Sequence, residues 1–324
     1  MHLIVSDVNS LDRLRIPLPV VLNRSAGGTS GDEIPDRIRE AFRGAGAEAD
    51  VRIAASGEEL VAFAREAASG QSPIVVVAGG DGSVASVVSV IAWTGKALGV
   101  LPLGTLNHFA KDLRIPLELE AAAHNVVEGL ETQVDLGEVN GRIFVNNSSL
   151  GLYPRIVRHR EESRQKLGWG KWPALLWATL HTLHRHRPID VALSVDGSEI
   201  RRQTPFVFIG NNFYEMEGFD VGTRSRLDRG ELSVYLAPGA RPRDLVFFAI
   251  RALLGLLRRT SGFEVLRTSE LTIRPRANPV RVATDGELAM LPTPLKYRVM
   301  PRALHVIVPE ESPIPEEGRT GTAP

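Results

Sequence analysis

Residues 75–88, VVVAGGDGSVASVV, decide the fold of the first part of the chain. They overlap a short unbroken apolar run, 74–78, which predicts a strand buried on both faces of a parallel sheet. Apolar residues then recur at the spacing of one helix face, namely Val84, Val87, Val88 and Ile91. The three glycines and the aspartate between these patterns therefore lie on a strand-to-helix turn, where open α/β sheets place their ligands.

The same alternation of strand and helix runs through the first third of the chain. Strands are predicted at 20–23, 50–54, 74–78 and 97–101, with helices at 34–42 and 58–68. Strands separated by helices of this length are typical of a doubly wound parallel sheet. We therefore expect an α/β domain over residues 1–130.

After residue 130 the pattern changes to short strands joined by hairpin signals, Asn140-Gly141 and Asp196-Gly197. Further strands are predicted at 134–139, 142–146, 191–195, 199–202, 206–210, 231–236, 263–273, 280–283, 295–299 and 303–308. This indicates an antiparallel β-rich, sandwich-like domain over 131–308, interrupted by helical stretches near 153–184 and 242–259. Residues 309–324 are rich in Pro, Glu, Gly and Thr, which predicts a disordered tail.

Composition excludes several classes of protein. The chain has 324 residues, with 38 Lys and Arg against 38 Asp and Glu, so no global charge indicates a nucleic-acid partner. The absence of cysteine excludes disulfides, thiolate catalysis and cysteine metal sites. No uninterrupted apolar stretch has the length of a membrane span, and the first residues lack a signal-peptide pattern. We therefore expect a cytoplasmic protein, with binding to a membrane surface left open.

The turn Gly79-Gly80-Asp81-Gly82 is the strongest single motif. Glycines let backbone N–H groups approach a phosphate, and the following helix adds its positive end. An aspartate at that place favours a nucleotide bound with Mg²⁺, since the cation separates the two negative groups. The alternative is a tight turn in which Asp81 caps the helix. No Walker A motif occurs in the chain.

Two further loops follow neighbouring strands. Residues 98–113, LGVLPLGTLNHFAKDL, place Gly104 and Thr105 before a helix predicted to bury one face, formed by Leu106, Phe109, Ala110 and Leu113. Thr105 could equally be the N-cap of that helix. Residues 23–28, NRSAGG, form the other loop. Three such loops are expected to converge on one polyphosphate, because parallel strands end at one sheet edge.

Thr284-Asp285-Gly286-Glu287 follows an alternating strand. Asp-Gly alone predicts a hairpin turn. Two carboxylates around a glycine could also supply a general base beside a bound phosphate, and local sequence leaves both interpretations open.

Together, VVLNRSAGG, VVVAGGDGS, LGVLPLGTLNHFA and ATDGE resemble, in order and spacing, the diacylglycerol kinase catalytic-domain family, in particular its bacterial soluble lipid-kinase branch, which is related to sphingosine and ceramide kinases. The similarity covers about residues 18–308. It implies an ATP-binding α/β domain and a β-rich domain, with a lipid entering the cleft between them. It also implies an ATP-dependent lipid kinase that uses Mg²⁺ and phosphorylates a diacylglycerol or sphingoid-type hydroxyl.

The resemblance assigns roles position by position. It implies nucleotide-binding residues at Asn23, Ser25, Gly27, Gly79, Gly80, Asp81, Gly82, Ser83, Gly104, Thr105 and Asn107. It implies an acidic pair that holds the general base, Asp285 and Glu287, with Asp81 organising Mg²⁺ and the phosphates. Asn146 and Asn147 also fit a family pattern, as structural residues.

Three positions depart from the family pattern. Ser83 stands where Thr is more usual, and His108 replaces an acid. Some relatives hold a structural Mg²⁺ with an Asp before a Gly in an L-D-D-G-like turn, where this chain reads Leu227-Asp228-Arg229-Gly230. A guanidinium cannot bind a cation, so we expect that metal site to be lost.

A lipid acceptor implies contact with a membrane surface. Residues 153–187 contain eight Lys and Arg together with Trp169, Trp172 and Trp177, a composition that suits an anionic bilayer interface. Residues 243–259 are a second candidate, and ordinary packing on the β-rich domain is the alternative for both.

A homodimer is plausible from edge strands. Two rival functions remain: an NAD kinase-like phosphotransferase and a non-catalytic lipid- or nucleotide-binding relative.

Overall fold

The structure is a computed structural model that describes residues 16–26, 33–151, 189–195, 198–214, 224–236, 264–310 and 312. Two compact units divide the chain: Met1–Val134 with Arg302–Pro324, and Asp135–Pro301. The boundary expected at 130/131 lies four residues before this division. Residues 302–308, which the sequence analysis gave to the second domain, belong to the first unit.

The first unit is a parallel sheet covered by helices. Its described elements are β1 (Leu18–Asn23), α1 (Ile34–Gly44), β2 (Ala49–Ala54), α2 (Gly57–Ser69), β3 (Ile74–Gly79), α3 (Asp81–Ile91), β4 (Ala97–Pro102), α4 (His108–Asp112) and α5 (Leu119–Glu128). The strands pair in the order β2-β1-β3-β4, all parallel, and the end of β16 (Leu295–Val308) pairs with β4. The predicted α/β class is confirmed.

Every residue of β3 is buried, as its unbroken apolar run predicts. Successive side chains of a strand point to opposite faces of the sheet, so Val75 and Val76 pack against different helix layers. Val76 belongs to a core with residues of α1 and α5, including Phe42 and Val126. Helices α2 and α3 contact each other and cover the other face. The sheet is therefore doubly wound.

The strand order places a topological switch point between β1 and β3. β2 pairs with one edge of β1 and β3 pairs with the other edge, so the chain crosses β1 on its way from β2 to β3. In open α/β sheets, ligands bind outside the carboxyl ends of the strands at this point, because the loops there diverge and leave a crevice. The loops after Asn23 and Gly79 flank it.

The second unit is built from antiparallel strands. Its described elements are β5 (Leu130–Val139, whose first residues belong to the first unit), β6 (Arg142–Phe144), β7 (Asn147–Gly151), β8 (Ile189–Val195), β9 (Ser198–Thr204), β10 (Phe206–Asn211), β11 (Leu232–Leu236), β12 (Glu264–Thr268), β13 (Glu270–Pro275), β14 (Val280–Thr284), β15 (Glu287–Leu291) and the first half of β16. One sheet has the order β12-β11-β10-β7-β14-β15, and a second contains β16-β13-β8-β9. Their inner faces share one apolar core. This confirms the predicted sandwich-like class.

Several element boundaries differ from the sequence prediction. The stretch 263–273 is two strands in different sheets, separated at Ser269, whereas 295–308 is one continuous strand. Asn140 and Gly141 both have positive φ, which is the turn that an Asn-Gly hairpin requires. The segments 153–187 and 243–259 and most of the predicted tail lie outside the described residues. None of the helices in the described part of the chain has the length and apolar character needed to cross a lipid bilayer.

Candidate active site

The loops after β1 and β3 are joined by a side-chain hydrogen bond. Asn23, the last residue of β1, donates from Nδ2 to the Ser83 Oγ at 2.8 Å. Its Oδ1 accepts the backbone N–H of Ser25 at 3.0 Å, which folds the chain back beside the strand end. Ser83 is buried and Ser25 is exposed. Gly27, predicted in the same loop, lies outside the described residues.

The loops after β3 and β4 touch backbone to backbone. A Cβ placed on Gly104 would lie 2.4 Å from the Cα of Gly80, and one on Gly80 would lie 3.1 Å from the Cα of Gly104. Neither Gly80 nor Gly104 can be replaced by a residue with a side chain unless the backbone of one of the two loops moves. Gly79 is equally restricted, because its Cβ would meet the Ser83 side chain at 2.5 Å. Contact between the loops therefore requires Gly80 and Gly104, whereas Gly79 is required by the Ser83 side chain of its own turn.

Gly82 is different. It lies in the first turn of α3, and a Cβ on it would have no atom within 4 Å. Nothing in the fold explains a glycine at this position, and Gly costs helix stability relative to Ala. The space beside it at the start of a helix is where an approaching anion would meet backbone N–H groups and the positive end of the helix dipole.

Asp81 caps a helix, and the helix is α4 instead of its own α3. Its carboxylate accepts the backbone N–H groups of His108 and Phe109, both at 3.1 Å. These N–H groups have no partner within a helix that begins at His108. The alternative interpretation, that Asp81 caps a helix, is therefore close to the observed geometry. The capped helix, however, is α4, which follows the loop after β4.

The loop after β4 is closed by Asn107. Asn107 adopts a left-handed conformation with φ 51° and is buried. Its Oδ1 accepts the Gly104 N–H, while Nδ2 donates to the carbonyls of Pro102 and Gly104. The side chain of Asn107 thus shapes the loop. Thr105 is exposed and is not the N-cap, since α4 begins three residues later.

One prediction in this loop is wrong. Leu106 was expected on the buried face of the helix, but it precedes α4 and is 49% exposed. Phe109, Ala110 and Leu113 are buried as predicted. The helix starts late because its first N–H groups find their acceptor in Asp81, a residue far away in the sequence.

In the second unit, Asp285 and Gly286 form the turn between β14 and β15, with φ values of 48° and 87°. The hairpin interpretation of Asp-Gly is thus correct. The carboxylate also accepts three backbone N–H groups, from Val145 at 2.7 Å, Asn146 at 2.8 Å and Asn147 at 3.0 Å. Burial of this carboxylate raises the pKa of Asp285 to about 6, against the opposing effect of those hydrogen bonds and of Arg224.

Glu287 begins β15 and is exposed. Its Oε2 accepts a hydrogen bond from Arg142 Nη2 at 2.7 Å, and the Nε of Arg142 donates to Thr284 Oγ1 at 2.9 Å. The two predicted acidic residues therefore share one hairpin but have different surroundings. Asp285 is enclosed by backbone donors, whereas Glu287 forms a solvent-facing ion pair.

Sequence reasoning missed Arg224, which supports the Asp285 turn. Its guanidinium is buried and lies over the Tyr214 ring, 5.1 Å from the centroid. It donates to the carbonyls of Val145 and Asn211 and to the side chain of Asn146. Nothing in the local sequence VGTRSRLD indicates that one arginine in it is buried. Only the pairing of distant strands brings these acceptors together.

The described residues contain no group of three or more His, Asp or Glu side chains placed to hold a metal ion. In the L-D-R-G turn, both oxygens of Asp228 accept hydrogen bonds from Arg226 at 2.7 Å. The carboxylate of this turn is therefore paired with an arginine, and whether the turn binds Mg²⁺ stays a prediction.

Comparison with known proteins now gives the family. Residues 17–139 match the model of the diacylglycerol kinase catalytic domain, and residues 150–308 match that of the YegS C-terminal NAD kinase beta sandwich-like domain. The chain belongs to the diacylglycerol kinase catalytic-domain family. Within this family of phosphotransferases, it is 27% identical over 293 residues to the "Diacylglycerol kinase" of Bacillus subtilis, covering 87% of this chain and 94% of that protein.

Other relatives agree with this assignment. A protein of Pseudomonas aeruginosa named "Probable lipid kinase YegS-like" is 30% identical over 298 residues, covering 90% of this chain and 95% of that protein. Among solved structures, a diacylglycerol kinase from Bacillus anthracis str. Sterne superposes with a TM-score of 0.68 at 20% identity, over 91% of this chain and 97% of the other. That likeness supports the two-part fold.

The contact between Gly80 and Gly104 predicts a strong effect of one methyl group. Gly104→Ala should destabilise the protein by roughly 1–3 kcal/mol, because the added Cβ overlaps the backbone of the neighbouring loop. Chemical denaturation measures the free energy of unfolding. Gly82→Ala is the control and should leave stability unchanged or raise it. Equal stability of the two variants would contradict the close contact.

The capping role of Asp81 gives a second prediction. Asp81→Ala should lower the free energy of unfolding by about 1–2 kcal/mol, since two helix N–H groups lose their acceptor, and Asp81→Asn should lose less. Asp36→Ala, which removes an exposed acid in the first turn of α1, serves as the control and should change stability little. If both alanine variants were equally mild, the capping assignment would be wrong.

Proposed function

We propose that this chain is an ATP-dependent lipid kinase that transfers the γ-phosphate of ATP to the hydroxyl group of a lipid, such as diacylglycerol or a sphingoid-type alcohol. The observation that carries the proposal is the open space beside Gly82, at the start of α3 and at the switch point of the sheet. Family membership supports the phosphotransfer chemistry, and the names of the relatives support a lipid acceptor.

The nucleotide is proposed to bind at the three joined loops. Backbone N–H groups near Gly80 and Gly82 would bind the phosphates, with the positive end of α3 adding to the attraction. The exposed hydroxyl groups of Ser25 and Thr105 are available as further donors. Asn23 and Asn107 would act by holding the loops in shape, because their amide groups are already bonded within the protein.

A magnesium ion fits these residues only as an ion shared with the nucleotide. Mg²⁺ commonly takes one or two carboxylates, with substrate phosphates and waters as its other ligands. Asp81 is the predicted carboxylate, and each of its oxygens keeps a lone pair after accepting one N–H. The ion would neutralise charge on the transferred phosphoryl group.

Transfer requires removal of the proton from the attacking alcohol. The oxygen of the lipid hydroxyl forms a bond to the γ-phosphorus, the bond from that phosphorus to the bridging oxygen breaks, and ADP leaves. The proton passes to a carboxylate of the Asp285–Glu287 hairpin. Asp285 is our candidate for this base because its pKa of about 6 lies near physiological pH. Glu287, bound to Arg142, is the alternative.

The surface beside this hairpin suits an apolar acceptor. Leu288 and Met290 follow Glu287 on β15 and are 41% and 55% exposed. Large apolar side chains at the surface next to a candidate base favour a lipid over a soluble dinucleotide as acceptor. The basic, tryptophan-rich segment 153–187 remains our candidate for contact with the membrane surface.

Radiolabelled ATP tests the proposal directly. The purified chain is incubated with diacylglycerol, sphingosine, ceramide or NAD in the presence of Mg²⁺, and label is followed into each acceptor. We expect labelled lipid and no labelled NADP. Transfer to NAD alone would favour an NAD kinase-like enzyme. Absence of transfer to any acceptor would favour a non-catalytic relative.

Two glycine variants localise the nucleotide. Gly82→Ala should weaken ATP binding about tenfold while the protein stays folded, because the added methyl group would occupy the space proposed for the phosphate. A tenfold loss is about the effect of losing one hydrogen bond to a charged group. Gly57→Ala is a matched control, since Gly57 also lies in the first turn of a helix and an added methyl group there would meet no other atom. Calorimetric titration with ATP and Mg²⁺ measures both. Unchanged affinity in Gly82→Ala would remove the loops from the nucleotide site.

The raised pKa of Asp285 predicts a pH dependence. A general base acts when it is deprotonated, so kcat/KM should fall as pH drops below about 6. Asp285→Asn should lose most activity, and the residual activity should no longer show that acidic limb. Glu287→Gln should keep the limb at a lower rate. If the limb instead disappeared in Glu287→Gln and persisted in Asp285→Asn, Glu287 would be the base.

A further inference from the structure

The second unit contains a small cavity that none of the roles proposed above uses. Its volume is about 210 Å³, and it is lined by Phe213, Ser225, Arg226, Arg229, Glu231 and Arg267. Three arginines and one glutamate therefore contribute to its lining. All of these residues belong to the unit Asp135–Pro301, whereas the loops proposed for the nucleotide belong to the other unit.

One wall is a prearranged arginine. Arg267 on β12 lies over the Phe213 ring, with its guanidinium carbon 4.1 Å from the ring centroid. It is 3.7 Å from the Glu231 carboxylate, so the pair is loose. A guanidinium stacked on an aromatic ring keeps its edge free for donors and loses little conformational freedom when it binds an anion.

The turn that contains Arg226 and Arg229 also lines the cavity. Arg226 is fixed by its two hydrogen bonds to Asp228, whose side chain is only 10% exposed. The backbone of the turn is fixed as well, because the N–H of Arg229 donates to Asn212 and the N–H of Gly230 donates to Asp135. The side chain of Arg229 is exposed, and no carboxylate in the described part of the chain lies within ion-pair distance of it.

The charge of this wall excludes a cation and favours an anion. Asp228, the carboxylate of the turn, is already paired, and Glu231 faces Arg267. Among the residues that the structure describes, no carboxylate compensates the positive charge of Arg229, which lines the cavity. Arginine forks match the geometry of phosphate oxygens, and the Ser225 hydroxyl is a further donor.

The size of the cavity limits the ligand to a small group. Sites for drug-sized molecules are about 300–1,000 Å³, so a cavity of 210 Å³ accepts a tetrahedral phosphate but not a whole nucleotide. We propose that this arginine pocket binds a phosphate group, carried either by free phosphate or by the headgroup of an anionic phospholipid. The site is independent of the nucleotide loops.

Binding is tested with the full chain and two probes. Inorganic phosphate is titrated by calorimetry, and co-sedimentation is measured with phosphatidylcholine vesicles that contain or lack phosphatidic acid. Arg229→Gln and Arg267→Gln should each weaken binding of the recognised probe about tenfold, the effect of losing a hydrogen bond to a charged group. Arg201→Gln removes an arginine that is 84% exposed on β9 and should bind like the unmodified protein.

The outcomes separate the two sources and the two sites. Binding of phosphate in solution identifies the free ion as the ligand. Binding only to vesicles with phosphatidic acid identifies the lipid headgroup. Either result supports the pocket if Arg229→Gln and Arg267→Gln both lose that binding. Phosphate binding that is lost in Gly82→Ala but kept in both pocket variants belongs to the nucleotide loops and overturns the proposal. Binding that is equally weak, or equally strong, in all three arginine variants overturns it as well. Thermal melting shows that each variant is folded, which is expected because these side chains lie at the surface.

Discussion

The candidate nucleotide site depends on one close approach, the contact between the backbones of Gly80 and Gly104. Two loops that leave neighbouring parallel strands normally carry side chains that keep them apart. Here the absence of a Cβ on either glycine lets the chains touch, and the carboxylate of Asp81 then reaches across to the first N–H groups of α4. The start of α4, the shape of the loop around Asn107 and the space beside Gly82 all follow from that contact. A larger residue at either glycine would separate the loops and move the capping carboxylate away from its helix.

The second unit uses an aspartate in the same way. Asp285 occupies a turn with positive φ and gathers three N–H groups from residues 145–147, while Arg224 binds the carbonyl and side-chain oxygens of the same segment. Both aspartates that family resemblance assigns to catalysis therefore have a structural task, which is to bind backbone amides of a distant segment. The two roles are compatible, because each oxygen of Asp81 and Oδ2 of Asp285 accept only one of these backbone hydrogen bonds and keep a lone pair for a proton or a cation. Enclosure of Asp285 raises its pKa toward the range in which proton transfer is efficient, so the packing that holds the turn also adjusts its chemistry.

The sequence was sufficient where the signal is local and regular. The apolar run of β3 and the helical spacing of α3 identified the doubly wound sheet, and Asn140-Gly141 identified a hairpin. It failed where a distant partner sets the outcome. Leu106 was placed in a helix that starts only at His108, because Asp81 supplies the cap from another loop. Helix α5 was overlooked although Leu119, Ala122, Ala123 and Val126 have helical spacing, and all four are buried. Arg224 had no detectable signal, since its acceptors are backbone carbonyls that strand pairing brings together.

The L-D-R-G turn shows how hydrogen bonds and an ion pair hold a turn while one of its arginines stays exposed. In this chain, Arg226 neutralises Asp228, and Asn212 and Asp135 hold the N–H groups of the turn. These hydrogen bonds and the ion pair stabilise the conformation of the turn. The side chain of Arg229 is exposed, and it lines the same cavity as Arg267. The exposed arginine thus gives this part of the second unit the positive charge that the proposed phosphate site requires.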